Sequence, residues 1–181
     1  MYVEELKKHI DVDITGHCSG RIVCDIFDRQ SEECLDHLFH QYKFYLSFEN
    51  SFCEDYYTEK ITKVLKRDII PVVMGLVNYT ELLAPGTFID VRDFKSPKHL
   101  AEYLKKVGSD SKLYNGYIEQ KKRLQCRSNS GIFACNLCQH LHENKNKSEI
   151  LPDVRHHWGT QKRCKNSSEF FEGIADGVRF E

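Results

Sequence analysis

The chain has 181 residues, 40% hydrophobic and 29% charged, a size and balance that fit a folded domain with its own core and exclude a disordered chain. Its formal net charge of −1 gives no reason to expect nucleic acid or an anionic membrane surface as a partner. No apolar run reaches membrane length, and the opening residues 1–8 lack the apolar stretch of a signal peptide.

Taken in chain order, Val3, Leu6 and Ile10 sit at helical spacing over residues 2–10. Val12 and Ile14 then alternate with polar residues as a short strand ending at Gly16. Residues 32–40 read as a short helix carrying Leu35, Leu38 and Phe39, and 44–48 as a buried strand that runs into the polar turn Glu49-Asn50-Ser51. A helix opens at Thr58-Glu59-Lys60 with Ile61, Val64 and Leu65 on one face. Strands follow at 69–74 and 88–91. Ser96-Pro97 is an N-cap followed by proline at the first helical position, opening a helix that stops at Gly108, and a further helix covers 111–124. Short strands alternating with helices predict an α/β fold, a Rossmann-like parallel sheet with flanking helices over 1–125. Cysteines, histidines and charges dominate afterwards, so 126–181 reads as an irregular, cysteine-rich tail, with Phe170, Phe171 and Ile174 either on a short amphipathic helix or an accident of the end.

Eight cysteines, at 18, 24, 34, 53, 126, 135, 138 and 164, point to an oxidising compartment. Sequons at Asn78, Asn146 and Asn166 agree, with Asn146 and Asn166 in the polar tail the better acceptors. The absence of a leader is reconciled with this if a targeting segment lies upstream. Cys135, Cys138, His140 and His142 suggest either a zinc site or oxidised cysteines, although the His-x-His spacing is tighter than that of a zinc finger. His156-His157-Trp158 reads as tail packing or surface.

The segment with chemistry is the loop 49–57. Ligands of parallel sheets bind beyond the carboxyl ends of the strands, where this loop emerges. The helix that follows begins with a Glu-Lys pair, which offers unpaired N–H groups and a mobile cation to a phosphate, and a carboxylate to sugar hydroxyls. The same residues also fit a solvated first turn with an exposed ion pair.

Tyr42-Lys43-Phe44-Tyr45-Leu46-Ser47-Phe48-Glu49-Asn50-Ser51, Cys53, Asp55-Tyr56 and Thr58-Glu59-Lys60 together resemble the hallmark segment of α1,3-fucosyltransferases, glycosyltransferase family 10. The similarity continues through Pro71-Val72-Val73, Gly75, Asn78-Tyr79, Ala84-Pro85-Gly86, Phe88-Ile89-Asp90-Val91, Asp93-Phe94 and Ser96-Pro97-Lys98, and covers residues 2–138. It implies the C-terminal lobe of a two-lobed GT-B glycosyltransferase that binds GDP-fucose and transfers L-fucose, with inversion, to a GlcNAc of a glycan in protein glycosylation. It places Glu49, Asn50, Tyr56, Glu59 and Lys60 in the donor pocket, Lys60 against the pyrophosphate and Glu59 near the ribose, with the role of Glu49 unassigned. No metal site and no cofactor is required, although a divalent cation could stimulate. The family also implies that Cys135 and Cys138 are disulfide-bonded, to unspecified partners, and that the enzyme is a Golgi type II membrane protein, facing the lumen, whose anchor lies outside these residues.

The departures matter as much. The lobe that holds the glycan acceptor and the catalytic base has no counterpart here, so no residue is assigned as base. Neither Arg21 nor Arg29 aligns securely with the family's donor-binding arginine, and Tyr57 stands where a smaller apolar residue is usual. Two other functions compete: a non-catalytic nucleotide-sugar-binding module lacking the acceptor lobe, and a zinc-tied interaction domain.

Overall fold

A computed structural model describes residues 2–15, 19–20, 32–124, 130–148, 150, 152–154 and 163–175. Arg21, Arg29 and His156-His157-Trp158 lie outside the described residues. Helices α1 (Tyr2–Leu6) and α2 (Glu32–Phe39) precede strand β1 (Phe44–Phe48), the two-residue β2 (Phe52–Cys53), α3 (Glu59–Leu65) and β3 (Ile70–Met74). Then come α4 (Tyr79–Leu82), β4 (Ile89–Asp90) with a 3-10 turn (Val91–Asp93), α5 (Pro97–Ser109) and α6 (Ser111–Lys122). The remainder holds α7 (Ser130–Glu143), β5 (Cys164–Lys165) and α8 (Ser167–Ala175).

The main sheet is parallel, in the order β1-β3-β4, with Leu46 opposite Val72 and Val72 opposite Ile89. Every residue of β3 is buried, as the central strand of a sheet covered on both faces requires. Its side chains alternate: Ile70, Val72 and Met74 join the main core with Leu100, Leu104 and Val107 of α5, while Val73 faces Ile61 of α3 and Tyr79 of α4. β4 pairs only at Val72 and Val73, leaving that side of the strand unpartnered at Pro71, which has no N–H to offer. Ser96 caps α5 by accepting from the His99 N–H at 3.3 Å, with Pro97 at the first position, and Asp110 caps α6 through Lys112 and Leu113.

The mixed α/β layout with a parallel sheet and flanking helices agrees with the sequence reading. Three details differ. Residues 11–15 form no strand; the Tyr42 hydroxyl holds Asp13 at 2.8 Å beside β1, without ladder pairing. Helix α1 ends at Leu6, four residues early, in turns closed by His9 N to Leu6 O and Ile10 N to Leu6 O. The expected irregular tail contains a fourteen-residue helix, α7, and strand β5, while the short helix offered as one reading of Phe170, Phe171 and Ile174 is present as α8, built into the core. Phe170 is fully buried and stacks on Phe52 at 3.9 Å, and β5 pairs antiparallel with β2.

Cys53 and Cys164, opposite one another in that pairing, form a disulfide, and Cys34 is also disulfide-bonded. Cys135 and Cys138, expected in disulfides, are instead free thiols exposed on α7. The physical reason is that every described side chain of α7 from Phe133 to His142 faces solvent, so no cysteine among the described residues stands across from either. Among the described residues, no helix is long and apolar enough to cross a membrane, and no group of three or more His, Cys, Asp or Glu gathers as a metal site.

Candidate functional site at the carboxyl edge of the sheet

The site grows from the end of β1. Glu49 continues the ladder, its N–H donating to Met74 O at 2.9 Å, and so is drawn into the interior: its side chain is 1% exposed. A carboxylate there needs partners. Oε1 accepts the Thr58 N–H at 2.9 Å, and Oε2 accepts the Thr58 hydroxyl at 2.9 Å and the Lys60 ammonium at 3.4 Å. Lys60 also donates to Thr58 Oγ1 at 3.1 Å, and its side chain is 24% exposed. Thr58 is the N-cap residue of α3 in position but makes no side-chain cap, because its hydroxyl serves Glu49 and Lys60.

The other expected donor residues flank this core. Asn50 is exposed and Tyr56 half-buried on the loop between β1 and α3. Asp55, at φ 58°, turns that loop through the left-handed region, which aspartate tolerates better than most residues. The Cys53–Cys164 disulfide, the Glu54 N–H on Arg163 O at 2.7 Å, and Arg163 beside Glu54 and Asp55 clamp the loop from outside. Glu59 is exposed and pairs with Lys63 at 3.5 Å. Its own backbone N–H, helped by Lys63 and Lys60, holds its carboxyl below the usual range.

The structure therefore joins Glu49 and Lys60 directly and sets Asn50, Tyr56 and Glu59 on the same loop and turn. Glu49 is buried and engaged by Thr58 and Lys60. Thr58 joins the site although the sequence reading gave it only a helix start. Tyr79 was also missed as a neighbour of Glu49. It is 1% exposed, and burial, with Glu49 and Asp90 nearby, pushes its phenol well above the usual value. A Cβ on Gly75 would lie 2.6 Å from the Tyr79 hydroxyl and 3.4 Å from Glu49 Cγ, so glycine there is what lets the three approach. Asp90 and Arg92 close the edge after β4: Arg92 Nη2 donates to Asp90 Oδ2 at 2.6 Å and to Val77 O at 3.1 Å, and this guanidinium stands 5.6 Å from the Tyr79 ring centre. A cavity of about 490 Å³ lies elsewhere, between α1, residues 11–15, α2 and β1, and none of the expected donor residues lines it.

Residues 1–158 match the family described as glycosyltransferase family 10 (fucosyltransferase), C-terminal. The chain belongs to glycosyltransferase family 10. It is 36% identical over 163 residues to Alpha-(1,3)-fucosyltransferase C of Drosophila melanogaster, covering 89% of this chain and 37% of that protein. It is 38% identical over 173 residues to Glycoprotein 3-alpha-L-fucosyltransferase A of the same organism, covering 92% and 33%. A third relative, GDP-fucose protein O-fucosyltransferase 3 of Xenopus tropicalis, is 36% identical over 166 residues, covering 88% and 31%. The chain thus spans about a third of the length of these family 10 relatives. Within that span lie β1, its loop and the Thr58-Glu59-Lys60 turn.

Proposed function

We propose that this chain is the GDP-fucose-binding part of an α1,3-fucosyltransferase, the C-terminal lobe of a GT-B enzyme that transfers L-fucose with inversion to a GlcNAc of a glycan in the Golgi lumen. The observation that carries the reading is the Lys60 ammonium, a quarter exposed, held at the carboxyl end of a parallel strand in a family 10 chain. As the fucosyl–oxygen bond breaks, negative charge grows on the departing diphosphate. A cation standing there stabilises that charge, so the reading needs no cofactor. Inversion requires the acceptor hydroxyl to attack from the face opposite GDP and to lose its proton to a base. Carboxylates around Lys60 are already engaged: Glu49 by Thr58 and Lys60, Glu59 by Lys63, Asp55 by Arg163. The base is accordingly assigned to a part of the protein outside the described residues, together with the glycan site.

Calorimetric titration with GDP tests the reading. The chain should bind GDP, and Lys60→Ala should weaken binding by about tenfold or more, the loss of one charge-assisted contact. Equal affinity in wild type and Lys60→Ala would remove the assignment.

A further inference from the structure

We propose that Glu49 is a buried counter-ion that competes with a nucleoside diphosphate for the Lys60 ammonium at the carboxyl edge of the sheet and yields it when the diphosphate binds. The inference rests on the reading that Lys60 meets such a group. The two ends of the pair are unequal. Glu49, 1% exposed, accepts two hydrogen bonds from Thr58, at 2.9 Å each, that do not pass through Lys60. Lys60 reaches Glu49 at only 3.4 Å, longer than a well-made charge-assisted bond, and its remaining contact is the Thr58 hydroxyl at 3.1 Å. Its side chain retains access to solvent. The ammonium is therefore oriented but loosely committed, and a diphosphate, with more negative charge than one carboxylate, can draw it away.

Releasing Lys60 leaves a buried carboxylate with less compensation, so ligand binding works against Glu49. Glutamine at 49 keeps an acceptor for the Thr58 N–H and removes the charge. GDP titration of wild type, Glu49→Gln, Lys60→Ala and the double variant reads the coupling. Glu49→Gln should bind GDP about threefold to tenfold more tightly than wild type, the release of a partly buried ion pair. In the Lys60→Ala background the same change should move affinity by less than about twofold, because no ammonium remains to be released. An equal gain in both backgrounds would mean simple repulsion of the ligand, and an equal loss would mean a structural role; either overturns the inference while leaving the Lys60 reading intact. If Lys60→Ala binds GDP as wild type does, both fall together. A measurement on the unaltered site covers a Glu49→Gln chain that does not fold. The carboxyl-carbon NMR resonance of Glu49 should shift on GDP addition in wild type and stay in place in Lys60→Ala; a resonance that GDP leaves unmoved in wild type overturns the inference.

Discussion

Lys121 is a buried ammonium satisfied by the backbone. It is 3% exposed and donates to Val64 O and Arg67 O, at 2.7 Å each, and to Ile69 O, tying the end of α3 and the start of β3 to α6. Burial pushes its pKa down to about 8. The unfolded chain, whose lysines titrate near 10.4, then binds a proton that the folded chain has released across pH 8 to 10.4, so stability rises with pH in that window. The burial penalty is fully present below pH 8. Above pH 10 the sign reverses, since Tyr2, Tyr79 and Tyr117 are raised well above the usual phenol range and the unfolded chain loses protons first. Urea unfolding at steps from pH 7 to 9, below the phenol range, should show a gain of about 1 kcal/mol that Lys121→Met abolishes. A second residue-scale prediction concerns Tyr79, whose buried hydroxyl has no hydrogen-bond partner among the described residues. Tyr79→Phe should stabilise by about 1 kcal/mol by removing an unpaired polar atom. Gly75→Ala should cost about 1–3 kcal/mol through the 2.6 Å approach to that hydroxyl, and most of the cost should vanish in the Tyr79→Phe background. Thermal melts of the four chains decide it, and additive effects would contradict it. Lys60 and Glu59 could be read from the loop-to-helix pattern alone; Tyr79 could not, because its closeness to Glu49 depends on β1 and β3 ending side by side.

At the scale of elements, the strands and caps were legible because their signals are local. Phe44 to Phe48 is apolar but for Ser47, the run at 69–74 is apolar throughout, and Ser96-Pro97 marks a helix start by chemistry that needs no tertiary partner. The alternation at Val12 and Ile14 is equally local, but a strand also needs ladder bonds, and residues 11–15 make none. In α7 the helical stripe of Phe133, Leu137 and Leu141 was obscured by the cysteines and histidines between them. Disulfide partners are never local. Cys53 and Cys164 are 111 residues apart, and their bond closes a loop that contains β3 and β4. Opening it should cost about 5 kcal/mol if the loss is that of loop closure. Cys164→Ser should lower the urea midpoint accordingly. It should also speed amide exchange at Glu54, whose N–H bonds to Arg163 O beside the bridge. A midpoint within the error of wild type would show that the packing of Phe170 on Phe52 holds this segment without the bridge.

At the scale of the whole molecule, the question is what a chain spanning about a third of its relatives' length can do alone. Transfer needs a bound donor, an oriented acceptor and a base in one cleft. The described residues offer Lys60 and its loop for the first. For the third, the carboxylates beside Lys60 are engaged, Glu49 by Thr58 and Lys60, Glu59 by Lys63 and Asp55 by Arg163, and Glu49 is only 1% exposed. We therefore expect the purified 181-residue chain to bind GDP and to show no transfer from radiolabelled GDP-fucose to N-glycan, lactosamine or peptide acceptors. The two measurements must be made on the same preparation, so that a silent transfer assay cannot be blamed on an unfolded chain. Turnover above background would refute the expectation and would place a base within these residues. Asp55 would then be the first to test, since its side chain is 82% exposed on the same loop and its partner Arg163 stands off at 3.2 Å. Asp55→Asn abolishing that turnover without loss of GDP affinity would identify it.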